Sequence, residues 1–279
     1  MPEAGELLSA VKKLGLEGRI VCLHSSMKSF GCRFEGGASA VIRAFTDSGC
    51  TLIVPSFSYR FTVRPPENMR PAQNGYDYEN MLPESGIDGA YTPETDEISA
   101  EYMGQVPLEA VKTKGRARGN HPVCSFAGVG PLAAEIIGTQ SSTDVFAPLR
   151  AIADKGGYAV MMGTGLATMT ALHLAEQMAG RNMFIRWAKS PDGGIIECEC
   201  GGCSEGFGNF EPVVSGMERR GGAGKSVWRA FPLAEFLEEA SAAIRKNPAI
   251  THCRRVFEGN KPCMLCEDAV KGGCVRRVE

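Results

Sequence analysis

The chain is short of histidine and has no surplus of basic charge. Four histidines in 279 residues leave few side chains whose ordinary pKa lies near neutrality, so each is a candidate for proton transfer. A formal net charge of −2 does not supply the basic face that a nucleic-acid footprint needs. No run approaches the ~20 apolar residues that cross a bilayer. The opening MPEAGELLSAVKKLGL reads as an amphipathic helix and lacks the uninterrupted apolar stretch of a secretory signal. These absences point to a cytoplasmic protein with neither membrane nor nucleic acid as partner. Eleven cysteines, an odd number, suit reduced thiols or metal ligands better than a paired disulfide framework. Lysine and arginine are missing from Pro71 to Val111, which carries Asp77, Glu79, Glu84, Asp88, Glu94, Asp96, Glu97, Glu101 and Glu109. Interleaved Gly, Pro, Asn and Tyr make this an acidic lid or insert over about 60–111, either attracting a cationic partner or aiding solubility.

What remains alternates between short apolar runs and helical patterns. Arg19–His24, Cys50–Pro55 and Tyr158–Gly163 read as buried strands. Helices are expected over about Ala38 to Asp47, from Gly130, from Ala147 and over Leu233 to Lys246, with shorter strands between Phe184 and Val214. Alternation of this kind predicts a layered α/β sheet flanked by helices. Between the first strand and the Ala38 helix lies HSSMKSFGCRFEGG, a Ser-, Lys- and Gly-rich loop opening onto a helix N-terminus, an arrangement that can hold a phosphate. An ordinary tight turn explains the same residues. Arg33–Ala38 also fits the R-x-x-G-x-A acyl-CoA pattern, a short glycine motif of low specificity. Arg219–Ser226 falls one glycine short of a nucleotide phosphate loop.

Two histidines stand out. His121 precedes Pro122 in GRARGNHPVCSFAGVG, which places it at a loop end with its ring presented. His173 lies in TALHLAEQMA, where Thr170, Glu176 and Gln177 share its helical spacing. A histidine with a carboxylate one turn away, plus a second histidine on another element, makes a candidate general-base site. His24 closes a strand and is equally suited to a structural hydrogen bond. Cys198, Cys200 and Cys203 form a C-x-C-x-x-C turn, while Cys253, Cys263, Cys266 and Cys274 have the spacing C-x9-C-x2-C-x7-C. The second set resembles a structural zinc site, with His252 as a competing ligand and free thiols as the other reading.

In order and spacing the motifs resemble the aminoglycoside 3-N-acetyltransferase family from about Ile20 to Phe231. The matching residues are His24-Ser25-Ser26 with Lys28, Gly31, Gly36 and Gly37, then LIVPSF, then Met103-Gly104 with Val106. They continue through Arg118, His121-Pro122 and Ser125, Ala147-Pro148-Leu149, and Thr170 with His173 and Glu176. The resemblance implies an α/β fold distinct from the common acetyltransferase superfamily, and transfer of an acetyl group from acetyl-CoA to the amine of an aminoglycoside or similar cationic small molecule. It implies that Ser25, Ser26, Lys28, Ser29 and Gly31 line the CoA side and that His173, Glu176 and His121 surround the reacting centre. Glu176 would then fix the tautomer of His173, as the third group does in a hydrolase triad. The chain departs from the family at Leu108, Val111 and Gly119, and in LATMT, positions that bear on the acceptor more than on the cofactor. The expected layout is an acetyltransferase domain over 1–250 and a cysteine-rich extension over 251–279, with homo-oligomerisation left open. The competing readings are a transferase for a non-aminoglycoside biosynthetic amine and a non-catalytic, zinc-stabilised binding protein.

Overall fold

The structure, a computed structural model, describes residues 4–80, 87–257 and 260–276; Glu84 of the acidic stretch lies outside them. Nine strands form the body: β1 (Ile20–Ser25), β2 (Thr51–Pro55), β3 (Ala117–Arg118), β4 (Phe126–Val129), β5 (Tyr158–Met162), β6 (Phe184–Lys189), β7 (Ile195–Cys200), β8 (Arg219–Ala223) and β9 (Ser226–Pro232). Seven of them make one sheet in the order β3-β4-β2-β1-β5-β9-β8, while β6 and β7 pair as a separate ribbon. β1 runs parallel to both β2 and β5, and the outer pairs are antiparallel. The helices among the described residues are α1 (Ala4–Lys13), α2 (Gly37–Asp47), α3 (Ala100–Met103), α4 (Gln105–Ala110), α5 (Ala133–Ile137), α6 (Ala147–Asp154), α7 (Ala171–Met178), α8 (Glu211–Val214), α9 (Leu233–Lys246) and α10 (Met264–Val270).

The central strands are apolar at nearly every position because both faces of the sheet are covered. Alternate side chains go to opposite faces. Ile20, Cys22, Ile53, Ala159 and Met161 join one core with residues of α5, α6, α7 and α9. Val21, Leu23, Leu52, Val54, Val160 and Met162 join a second core with α1, α2 and α4. The result is the expected layered α/β arrangement. The sequence pattern ends its helices at Leu233–Lys246; in the structure α10 follows, close to the 3-10 turn Pro248–Thr251.

The acidic stretch is tied to the body. Tyr91 and Ile98 are buried in it, and Val106, Ala110 and Val111 belong to the second core. Arg118, itself buried, donates to the carbonyls of Thr95 and Glu97 at 2.5 and 2.7 Å and to Ser58 Oγ at 2.8 Å. Asp96 and Glu97 pair with Arg116 and Arg60. Part of this segment's charge is therefore met by arginines of the same chain. Arg219–Ser226 forms most of the β8–β9 hairpin, which accounts for its glycines without a phosphate.

Candidate functional site

Parallel strands end together, and a cleft of about 550 Å³ opens beyond the C-terminal ends of β1, β2 and β5, the place where open α/β sheets take their ligands. His24 and Ser25 reach it from β1, Pro55 and Phe57 from β2, and Thr164 from the turn after β5. The opposite wall carries Thr170, His173, Trp187 and the backbone of Gly201-Gly202.

α7 supplies the dyad, because three residues of helix bring His173 and Glu176 onto one face. Nδ1 of His173 lies 2.8 Å from Oε2 of Glu176. The second carboxylate oxygen accepts from Arg181 Nη1 at 2.5 Å, and that same nitrogen donates to Thr251 Oγ1 at 2.8 Å. Arg181 Nη2 donates to the Pro248 carbonyl. All three side chains are nearly buried, and each carboxylate oxygen has its own donor. A carboxylate that only accepts places the imidazole hydrogen on Nδ1 and leaves Nε2 with a lone pair for the cleft. The ring stacks on Phe146 at 6.1 Å and meets Phe207 at 4.7 Å. Gly201 covers it so closely that a Cβ there would sit 2.5 Å from the ring.

His121 does not join them. Its ring is fully buried, with Nε2 donating to the Glu199 carbonyl at 2.7 Å and Nδ1 accepting from the N–H of Cys124 at 2.8 Å and of Val123 at 3.2 Å. The expected presentation of the ring is thus corrected: Pro122 places His121 in a loop, but the β6–β7 ribbon closes over it. Burial pushes its pKa down to about 4, and it stands as a structural histidine joining that loop to β7. His24 is likewise pushed down to about 4 by burial, though it lines the cleft.

The residues expected on the CoA side follow one another at the end of β1. Ser25 lines the cleft. Ser26 begins a 3-10 turn, Met27–Phe30, in which Ser29 Oγ donates to the Ser26 carbonyl at 2.6 Å and meets Ser226 Oγ at 2.7 Å. Gly31 ends the turn at φ 72°, with the stem of Lys225 3.0 Å from where its Cβ would be. Lys28 and Lys225 are exposed. Ser26, Lys28, Ser29 and Gly31 thus belong to the rim, outside the cleft itself.

The cysteines regroup. Cys203, Cys253, Cys263 and Cys266 bring their sulfur atoms within 4.8 Å of one another. Cys274, the expected fourth ligand, is buried in a separate cluster with Phe184, Ile185 and Trp187. His252 is spoken for as well, with Nε2 2.7 Å from Glu267 and Nδ1 accepting from the Arg254 N–H. Cys124 and Cys200 face each other at 3.4 Å on the cleft wall.

Sequence patterning does not single out Arg181, Phe146, Phe207 or Gly201. Arg181 lies five residues past Glu176 and beyond the end of α7, so helical spacing does not link them. The paired glycines between Cys200 and Cys203 are the one available signal for the wall against His173, since glycine permits close backbone approach.

A buried carboxylate bonded to a histidine at the mouth of parallel strands is an arrangement that can support general-base chemistry. The chain belongs to the aminoglycoside 3-N-acetyltransferase family, whose model matches residues 22–245. It is 27% identical to aminoglycoside N(3)-acetyltransferase III of Salmonella sp., with 69% of this chain and 72% of the relative covered. Among solved structures it is similar to the apoenzyme of aminoglycoside acetyltransferase AAC(3)-IVa, with a TM-score of 0.72, 21% identity and 97% of each chain covered. It is also similar to AAC-IIIb in its binary complex with CoASH, with a TM-score of 0.68, 20% identity, and 87% of this chain and 96% of that one covered. Likeness at these identities establishes the shared fold. No helix among the described residues is long and apolar enough to cross a membrane.

Proposed function

We propose that the chain transfers an acetyl group from acetyl-CoA to a primary amine of an aminoglycoside, with His173 as the general base. The observation that carries this reading is the hydrogen-bonded series Arg181–Glu176–His173, ending at a cleft beside the turn 25–31. An amine reaches the site protonated and must lose a proton before its lone pair can attack. Nε2 of His173 receives that proton, while Glu176 holds the Nδ1–H and stabilises the imidazolium that forms. The amine nitrogen then bonds to the thioester carbonyl carbon, the carbon–sulfur bond breaks, the proton held on His173 goes to the departing CoA sulfur, and the second proton that the bonded nitrogen sheds passes through the freed Nε2 to solvent. Thr164 Oγ1, which has no hydrogen-bond partner among the described residues, offers a donor on the cleft wall for the developing oxyanion. The rim turn, with Lys28 and Lys225 exposed beside it, receives the pantetheine and phosphates. The family match and the CoASH-bound relative support this cofactor. The cysteine cluster contributes no step. Titration calorimetry with acetyl-CoA, followed by mass spectrometry of acceptor mixtures, tests the reading; an acetylated amine bears it out, and absence of both binding and product overturns it.

One observation favours a second acceptor class. No carboxylate lines the cleft among the described residues; its walls carry Tyr59, Tyr76, Tyr102 and Trp187, with Arg186 over the Tyr76 ring at 5.0 Å. Without a carboxylate to pair with each ammonium, a polycation is held here through ring faces alone, whereas a flatter amine of lower charge also stacks on them. A panel pairing aminoglycosides with aromatic amines and amino acids separates the two by their kcat/KM.

A further inference from the structure

We propose that Cys203, Cys253, Cys263 and Cys266 bind one zinc ion, and that this ion fixes the 201–206 segment against His173. The ion site stands independently of the acetyl-transfer reading; its effect on turnover rests on that reading.

Four thiolates around zinc at Zn–S distances of ~2.3 Å lie roughly 3.8 Å apart, and the four sulfurs here fall within 4.8 Å of one another. They come from three segments: the chain after β7, the chain after the 3-10 turn Pro248–Thr251, and the start of α10. Cys263 occupies the N-cap of α10 and Cys266 its first turn, the tight C-x-x-C knuckle that seats two sulfurs on one ion. Backbone N–H groups already point at the sulfurs. Cys253 N donates to Cys266 Sγ and Arg255 N to Cys253 Sγ, each at 3.4 Å, the supporting bonds that offset thiolate charge. Cys203 and Cys253 are only partly buried, so burial of apolar sulfur does not account for the convergence. With both nitrogens of His252 engaged, the set is four sulfurs.

Two links join this cluster to the dyad. Gly201 and Gly202, immediately before Cys203, pack backbone-close on the rings of His173 and Phe184, and Gly206 lies against the Thr251 carbonyl. Glycine at three contact points leaves the segment with few side chains to hold it, and glycine loses the most conformational freedom on ordering. From the other side, Arg181 ties Glu176 to Thr251 and Pro248, just ahead of Cys253. The ring face and the carboxylate of the dyad are thus both braced on segments that end in sulfur ligands. Zinc binding releases the thiol protons and adds its binding energy to the ordering of these segments.

The test uses the full chain expressed with zinc supplied. Elemental analysis gives one zinc per chain; Cys203→Ser and Cys266→Ser lose it, whereas Cys274→Ser retains it. Absence of zinc in the wild-type protein, two disulfides in its place, or full retention in Cys203→Ser overturns the site. Because a variant can fail to fold, the wild-type protein is also stripped with a chelator and followed by amide hydrogen exchange. Exchange at 201–206 rises at least tenfold on stripping, exchange in α2 is unchanged, and added zinc reverses the effect. Unchanged exchange at 201–206 overturns the bracing. In the transfer assay, stripping raises the acceptor KM and lowers kcat while the KM for acetyl-CoA stays constant. Zinc-dependent exchange in a protein that acetylates nothing supports the ion site and bracing while counting against the transferase reading alone.

Discussion

Oε2 of Glu176 lies 2.8 Å from Nδ1 of His173, and its partner oxygen is held by Arg181. The carboxylate therefore does one thing for the histidine: it fixes which nitrogen carries the hydrogen. Glu176→Gln keeps the shape but can present either an acceptor or a donor to Nδ1. It should lower kcat by on the order of 10²–10⁴, with acetyl-CoA affinity unchanged by calorimetry. A variant as active as the parent would remove Glu176 from the mechanism.

Arg181 is buried against that carboxylate, and removing one partner of a buried ion pair leaves the other unpaired. Arg181→Met should cost ~3–5 kcal/mol of stability, read from urea unfolding. The double variant Arg181→Met with Glu176→Leu should recover part of the loss, since it leaves no buried charge; additive losses would contradict this account.

A methyl group at position 201 would stand 2.5 Å from the imidazole of His173. Gly201→Ala should leave the near-ultraviolet circular dichroism and acetyl-CoA binding intact while reducing turnover at least tenfold. At Gly208 an added methyl group would meet no atom within 4 Å, so alanine there should be without consequence for turnover. Equal effects at the two positions would show that the contact does not matter.

His24 and His121 should make the fold acid-sensitive. Burial lowers both from the ordinary 6.5 to about 4, so between those values the unfolded chain binds more protons than the folded one. Stability contributed by these rings is complete above about pH 6.5 and is lost as the pH falls toward 4. By pH 5 each ring should have cost on the order of 2 kcal/mol, seen as a falling urea midpoint from pH 7.5 to 5. A flat profile would mean that the rings charge inside the fold.

The layered sheet is legible in the sequence because β1, β2 and β5 are nearly continuous apolar runs, and strands covered on both faces read that way. The His173–Glu176 pair is legible because both residues sit on one short helix, where sequence spacing is spatial spacing. His121 is not: Pro122 places the loop, but which segment covers a loop is decided by tertiary packing, here the ribbon β6–β7. The same limit explains the sulfur cluster. Cys263 and Cys266 are evident as a local knuckle, whereas Cys203, fifty residues before Cys253, displaces Cys274 because the chain after β7 reaches α10 only in the folded state. Composition marks the acidic stretch but does not disclose that Arg60, Arg116 and Arg118 engage it.

If His173 takes the proton from an acceptor amine in an acetyl-CoA-dependent transfer, loss of its imidazole must remove the product. The most direct measurement is mass spectrometry of acceptor after incubation with acetyl-CoA and either wild-type protein or His173→Ala, which avoids interference from the eleven cysteines in a thiol assay. The wild-type protein should give a product heavier by one acetyl group, and the variant at least a hundredfold less at undiminished acetyl-CoA binding. Equal product from the two proteins would contradict that role for His173.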